Sequence, residues 1–191
     1  MTERLLASLD EAAEALRSFR QDQERLEALT GIAELLVETL RAGRKVIVCG
    51  NGGSMADAMH FAEEWTGRFR ADRRPLAVIA LSDPAHITCV ANDYGFEEVF
   101  ARMVQALGRP GDVLILLSTS GRSANLVRAA LAARAAELKV IGFLGRDGGD
   151  LLPICDRLVV MPGKTPDRIQ ELHMLALHCL IEIAEPCLAE S

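Results

Sequence analysis

Five short segments constrain this chain more than anything else in it: Lys45–Cys49 (KVIVC), Leu76–Leu81 (LAVIAL), Asp112–Leu117 (DVLILL), Lys139–Leu144 (KVIGFL) and Arg157–Met161 (RLVVM). Each is rich in β-branched and aliphatic residues and is apolar nearly throughout. A strand with one wet face alternates apolar and polar residues. A strand without alternation is buried on both faces, the mark of a parallel sheet. Helical patterns separate the segments: Ser54–Phe69, about Phe96–Leu107, Arg122–Glu137, and a short turn near Leu151–Cys155. Alternating strand and helix predicts right-handed crossovers and an α/β fold, a doubly wound five-stranded parallel sheet.

The first 42 residues show no strand pattern. Leu5, Leu9, Ala12, Leu16 and Phe19 recur at steps of three and four, and Leu26, Leu29, Ala33, Leu36 and Leu40 do so after a polar break at Gln21–Gln23. This predicts an N-terminal helical hairpin, its second helix ended by Gly43. Having no strand partner, the hairpin is expected to pack on another subunit or across the domain's own helices. A last helix from about Pro166 to Glu185 is apolar around most of its circumference (Ile169, Leu172, Leu175, Ala176, Leu180, Ile183), which predicts burial in an interface. So much patterned apolar surface points to an oligomer.

A chain of 191 residues fits one domain, residues 1–191, able to bury roughly 70% of its unfolded surface. With half its residues hydrophobic and a quarter charged, disorder and fibrous structure are excluded. No apolar run approaches the ~18 residues that cross a bilayer, so no membrane partner is expected. The acidic N-terminus is no signal peptide. A net charge of −6 argues against nucleic acid as a partner. The five cysteines (Cys49, Cys89, Cys155, Cys179, Cys187) stand singly with no CxxC, as suits reduced thiols in a cytoplasmic protein. Cys49 and Cys179 read as core filler.

In an open α/β sheet, ligands bind beyond the carboxyl ends of the strands. Three polar loops fall there. Gly50-Asn51-Gly52-Gly53-Ser54 follows the first strand and opens a helix; its glycines allow close backbone approach, and Ser54 with Asp57 suits a capping box. It is neither a Walker A loop nor GxGxxG, and as a tight turn it need bind nothing. Ser118-Thr119-Ser120-Gly121-Arg122-Ser123 places four hydroxyls at a helix start, more than capping requires, and makes a neutral cradle for a phosphate. Ala91-Asn92-Asp93-Tyr94-Gly95 is a loop able either to turn or to contact a hydroxylated ligand.

Among ionisable groups, His60 and Glu64 lie one helical turn apart on one face. Gln170, Glu171, His173 and His178 cluster on the last helix, where Gln170 and His178 can converge only on a ligand between them. Two histidines, a carboxylate and an amide oxygen can hold a divalent metal such as zinc. They can equally be an acid/base pair, and a His and a Glu on a helix can be no more than a surface ion pair.

These motifs, in this order, resemble the phosphoheptose isomerase (sedoheptulose 7-phosphate isomerase) family of the sugar isomerase, or SIS, superfamily. The residues that carry the resemblance are CGNGGSMADAMHFAEEWTGRF (49–69), ANDYGFEEVF (91–100), GDVLILLSTSGRSANLV (111–127) and DRIQELHMLALHCL (167–180). It implies the SIS fold and conversion of sedoheptulose 7-phosphate to D-glycero-D-manno-heptose 7-phosphate through an enediol. That is the first step of activated heptose synthesis for the lipopolysaccharide core, carried out by a homotetramer. By matching motif, it implies that Glu64 and His178 are the acid/base residues. Substrate contacts would come from Asn51, Gly52, Gly53, Glu64, Arg68, Asn92, Asp93, Ser118, Thr119, Ser120, Ser123, Asp167 and Gln170. One zinc per subunit would be held by His60, Glu64, Gln170 and His178. A carboxylate that both binds zinc and takes a proton has its basicity lowered, so the two roles of Glu64 compete.

Two departures stand out. Met55 replaces a smaller or more polar residue, and Arg122 replaces an asparagine common inside the hydroxyl loop. Trp65 reads as packing. The rival reading is a non-catalytic SIS-fold protein of the type that associates with the bacterial replication initiator. Such relatives tend to lose the glutamate and the last-helix histidine, and this chain keeps both.

Overall fold

All five apolar segments pair into one parallel sheet. A computed structural model describes residues 1–189. Helices α1 (Thr2–Gln21) and α2 (Gln23–Arg41) lead into β1 (Val46–Gly50), α3 (Gly53–Thr66) and β2 (Val78–Ala80). Then come α4 (Pro84–Asp93), a short 3-10 turn at Phe96–Glu98 and α5 (Val99–Leu107). The chain closes with β3 (Val113–Ser118), α6 (Ala124–Ala135), β4 (Lys139–Gly145), β5 (Arg157–Met161) and α7 (Pro166–Ala189). Strand order is β2-β1-β3-β4-β5. The chain leaves β1 toward one edge for β2 and returns to the other side for β3. The gap between β1 and β3 is therefore the switch point at which such sheets bind ligands, and the Gly50–Ser54 and Ser118–Ser123 loops flank it.

Alternate side chains of each strand enter two cores. Val46, Val48, Val113, Ile115, Ile141 and Phe143 pack with α2, α3 and α7. Ile47, Cys49, Leu114, Leu116, Val140 and Leu144 pack with α4, α5 and α6. Side chains of this kind, wholly withdrawn from water, contribute roughly 1.5–3 kcal/mol each. Cys49 is one of them, and burial pushes its thiol pKa up. All five cysteines are free. Among the described residues no helix is long and apolar enough to cross a membrane.

The hairpin divides in two. α2 belongs to the first core through Leu29, Ile32, Ala33, Leu36 and Leu40, and Asp22 caps it by accepting the Arg25 N–H at 3.0 Å. α1 buries only Phe19 and leaves Leu5, Leu9 and Leu16 exposed. α7 is mostly covered within the chain: Ile169, Leu172, Ala176 and Leu180 are core, and Leu175 and Ile183 stay exposed.

Three local expectations need correction. Residues 91–93 are not a loop but the last turn of α4, a helix that Asp83 and Pro84 announce: Asp83 accepts the His86 N–H at 2.6 Å, and Pro84 sits at the first turn. The predicted helix over 96–107 divides into the 3-10 turn and α5. Ser54 caps nothing. Gly52 occupies the cap position of α3, and Ser54 is buried with its hydroxyl turned toward α7.

Candidate active site

The upper end of the site is made from loops. Asn51, Ser54, Ser118, Thr119, Ser120, Ser123 and Gln170 line a cavity of about 70 Å³ at the switch point. That is room for about two waters, or for one phosphoryl group. Its wall is held by a pair that sequence reasoning missed: Asn51 and buried Asn125 exchange amide hydrogen bonds of 2.9 and 2.8 Å across the gap. Asn125 stands two residues after Ser123 on the first turn of α6, so its signal was proximity to the hydroxyl loop. Gln170 reaches the cavity from α7 and donates toward Ser54 Oγ at 3.3 Å. A Cβ on Gly53 would sit 2.7 Å from the Gln170 amide oxygen, so a larger residue here would turn the Gln170 amide away from the cavity. Gly52 and Gly53 are exposed beside the cavity.

Within the hydroxyl loop, Ser118 Oγ accepts the Gly121 N–H at 2.9 Å, and Ser120 Oγ accepts the Arg122 N–H at 3.2 Å. Ser123 stands at the cap position of α6, yet its hydroxyl caps nothing within the chain. The loop leans on the turn after β4. Gly121 has φ +66°, and a Cβ there would lie 1.9 Å from the Gly148 carbonyl oxygen. Arg122 closes the contact with two bonds to Asp147, of 2.8 and 2.6 Å. The guanidinium bonds hold the Asp147 carboxyl well down, to about 2. Met55, the other departure, is packed against the second core.

The lower end is made from helix side chains. His60 and Glu64 on α3 meet His178 on α7, and one ligand atom of each lies within 4.8 Å of the others. His60 Nε2 is 3.3 Å from Glu64 Oε1. The His60 and His178 rings meet edge to face at 5.1 Å, and Phe69 stacks on His178 at 5.7 Å. Two imidazoles and a carboxylate at this spacing are a donor set that suits a divalent metal such as zinc. One turn before His60, burial raises the pKa of Asp57, and its Oδ2 has no partner.

The remaining sequence-assigned residues disperse. Gln170 lies eight residues before His178, about 12 Å along the helix axis, and so stands with the cavity rather than with the histidines. His173 is buried on the sheet side of α7, 3.3 Å from the Leu144 carbonyl oxygen; burial lowers its pKa to about 4. Glu171 is exposed and paired with Arg168. Arg68 is exposed just beyond α3, and Asp167 is exposed on the first turn of α7. Asn92 and Asp93 are exposed at the end of α4, where Asn92 donates to Asp93 at 2.7 Å. Another concavity, about 400 Å³, lies between α1 and the start of α7 and is lined by Glu11, Glu14, Pro162, Gly163, Lys164 and Arg168. It borders the end of β5 but has no histidine in its lining.

A doubly wound sheet with hydroxyl and glycine loops at its switch point defines a class: a family model described as the SIS domain matches residues 9–145, and this is a SIS-domain protein. The phosphoheptose isomerase of Fusobacterium nucleatum is 50% identical over 95% of this chain and 93% of its own length. That of Pectobacterium atrosepticum is 48% identical over 96% of each. The solved phosphoheptose isomerase from Neisseria gonorrhoeae superposes with a TM-score of 0.91 at 40% identity, covering 97% of this chain and 98% of that one. The chain belongs to the phosphoheptose isomerase family, and it is an enzyme, an aldose–ketose isomerase.

Proposed function

We propose that this enzyme interconverts sedoheptulose 7-phosphate and D-glycero-D-manno-heptose 7-phosphate in the cytoplasm, at the start of activated heptose synthesis for a lipopolysaccharide core. The observation that carries the reading is the meeting of Glu64 and His178 from two helices distant in sequence. Isomerisation removes a proton from C1 while the C2 carbonyl oxygen gains one, giving an enediol. The proton then returns to C2 as the C1 oxygen gives up its own. Glu64 and His178 divide the work of taking and supplying these protons. Asn51, Gly52, Gly53, Ser118, Thr119, Ser120, Ser123 and Gln170 bind the phosphate end. Arg68, Asn92, Asp93 and Asp167 complete the substrate contacts. His60, Glu64 and His178 would hold one zinc, with Gln170 as a fourth donor. When bound, zinc polarises the carbonyl and stabilises enediolate charge.

Ten residues of α3 separate Ser54 from Glu64, about 15 Å of helix. The extended heptose phosphate alone is shorter than this, and side-chain reach at each end narrows the gap. The reading has the phosphate cradle of one protomer meet the acid/base pair of another, within a homotetramer that covers the exposed α1 leucines. Gln170 would then be a donor from the neighbouring protomer. The direct test is to incubate the protein with sedoheptulose 7-phosphate, with and without chelator, and follow aldose formation. No aldose under either condition would falsify the substrate assignment.

A further inference from the structure

The end of α3 is held in an unusual way. The last carbonyls of a helix have no partner inside it. Gly67 follows α3 without a left-handed turn, and its N–H reaches only the Glu63 carbonyl, at 2.7 Å. The next two carbonyls both accept from one side chain, and the Trp65 oxygen also accepts the Leu76 N–H at 3.0 Å. Arg73 donates Nη2 to the Glu64 oxygen at 2.7 Å and Nη1 to the Trp65 oxygen at 2.8 Å. Its Nε donates to Glu185 on α7 at 2.9 Å. Both side chains are buried, 2% and 9% exposed, and the guanidinium lies 5.8 Å from the centre of the Trp65 ring. Glu185 follows His178 by seven residues, two turns along the same helix face. One buried cation thus ties the backbone of Glu64 to the helix that carries His178.

The physical chemistry favours this fork at this place. A helix C-terminus is the negative end of its dipole, and the planar guanidinium can serve two carbonyls and a carboxylate at once. As stabilisation alone the arrangement is inefficient, because packed apolar side chains often replace a buried ion pair at no cost. What they cannot replace is the direction imposed on two particular carbonyls.

We propose that Arg73, seated by Glu185, is a positioning residue for the isomerisation: it fixes the last turn of α3 so that the Glu64 carboxylate stays in reach of His178. The inference rests on Glu64 and His178 being the acid/base pair. Arg73 touches no reacting atom, so its loss should lower turnover and leave substrate binding alone.

The test uses the full-length protein with Arg73→Lys, Glu185→Gln and the double variant Arg73→Met with Glu185→Leu. The double variant supplies apolar packing and removes both guanidinium donors, so the Glu64 oxygen loses its partner while the Trp65 oxygen keeps the Leu76 N–H. In the double variant and in Arg73→Lys, kcat is expected to fall about 10- to 100-fold with KM within about twofold, the scale of an ångström-size misplacement. The thermal midpoint of the double variant should stay near that of the wild type. Folded variants with wild-type kcat would reduce Arg73 to a structural role and overturn the proposal. If the double variant does not fold, Glu185→Gln decides: a kcat loss of about threefold or more at unchanged thermal midpoint supports the proposal, and unchanged kcat overturns it. Glu64→Gln, assayed alongside, separates two failures. If it is fully active, the acid/base reading is wrong. If it is inactive while the Arg73 and Glu185 variants turn over normally, only the positioning inference falls.

Discussion

The two ends of the α3/α7 pair are built from opposite materials. At the upper end, α3 begins with glycines and Ser54, α7 offers Gln170, and the facing loop offers hydroxyls; the groups lining the cavity are neutral. At the lower end the same two helices present His60, Glu64 and His178, groups able to carry charge, with Phe69 stacked beside them. On the proposed reading, the difference follows from the task. An anion can be held by neutral donors at loop and helix starts, which keep one arrangement whether or not it is bound. Proton transfer needs groups that change charge, brought within bonding distance of each other. The upper end should therefore govern binding and the lower end turnover.

The largest effect should come from breaking the lower end. Glu64→Gln and His178→Gln keep size and a hydrogen-bonding oxygen but cannot exchange a proton at neutral pH. Each should lower kcat about 10²- to 10⁴-fold with the circular dichroism spectrum unchanged. If these groups were a surface ion pair, activity would be untouched. Breaking the upper end should look different. Ser120→Ala and Ser123→Ala each remove one hydrogen bond to a charged group, so KM should rise about 10-fold or more while kcat falls less. An unchanged KM in both would remove the cradle from the mechanism.

The separation of the two ends can itself be tested. A Glu64→Gln protein and a Ser120→Ala/Ser123→Ala protein are mixed, unfolded, refolded together and assayed at low substrate. If each site draws its two ends from different protomers, about a quarter of sites regain both intact. Activity no higher than the sum of the parents would show that both ends serve the same chain. Light scattering on the wild type should accompany this, with a tetramer expected.

The smallest effect concerns how the cradle is braced. Arg122→Asn removes the bridge to Asp147, an exposed and solvent-screened pair of the kind that contributes little. KM should rise about two- to fivefold, and added salt should narrow the gap between variant and wild type. Because Arg122 lowers the Asp147 pKa to about 2, the bridge is fully present above the ordinary carboxylate range. It is lost only as pH falls toward that value, so the KM difference should persist through mildly acidic conditions. A difference that vanished there would point to a role for Arg122 other than this bridge.

Much of this molecule could be read from local pattern. The five strands, α2, α3, α6 and α7 each declare themselves through unbroken apolar runs or three-and-four spacing, because a buried strand or a half-buried helix must satisfy its own environment residue by residue. The hydroxyl and glycine loops were legible for a related reason: their composition exceeds what a turn requires. α4 was passed over, although Asp83-Pro84 is a helix start, because the Asn92-Asp93 stretch looks like a turn when read alone. The pairing of His60 with Glu64 was legible too, since helical spacing puts them together.

What the sequence by itself determined, then, is the fold class, the switch-point loops and the half of the lower site that lies on one helix. The tertiary structure decided the rest. It seated His178, which the motif resemblance had named, against His60 and Glu64, and it sent His173 into the core. It drew Gln170 to Gly53, joined Asn51 to Asn125, and brought Arg73 and Glu185 to the end of α3. The physical reason is one of range. Period and propensity act over a few residues and report which face of an element is buried. Which residue lies opposite on a neighbouring element depends on how the helices seat against the sheet, and packing between distant segments alone sets that register.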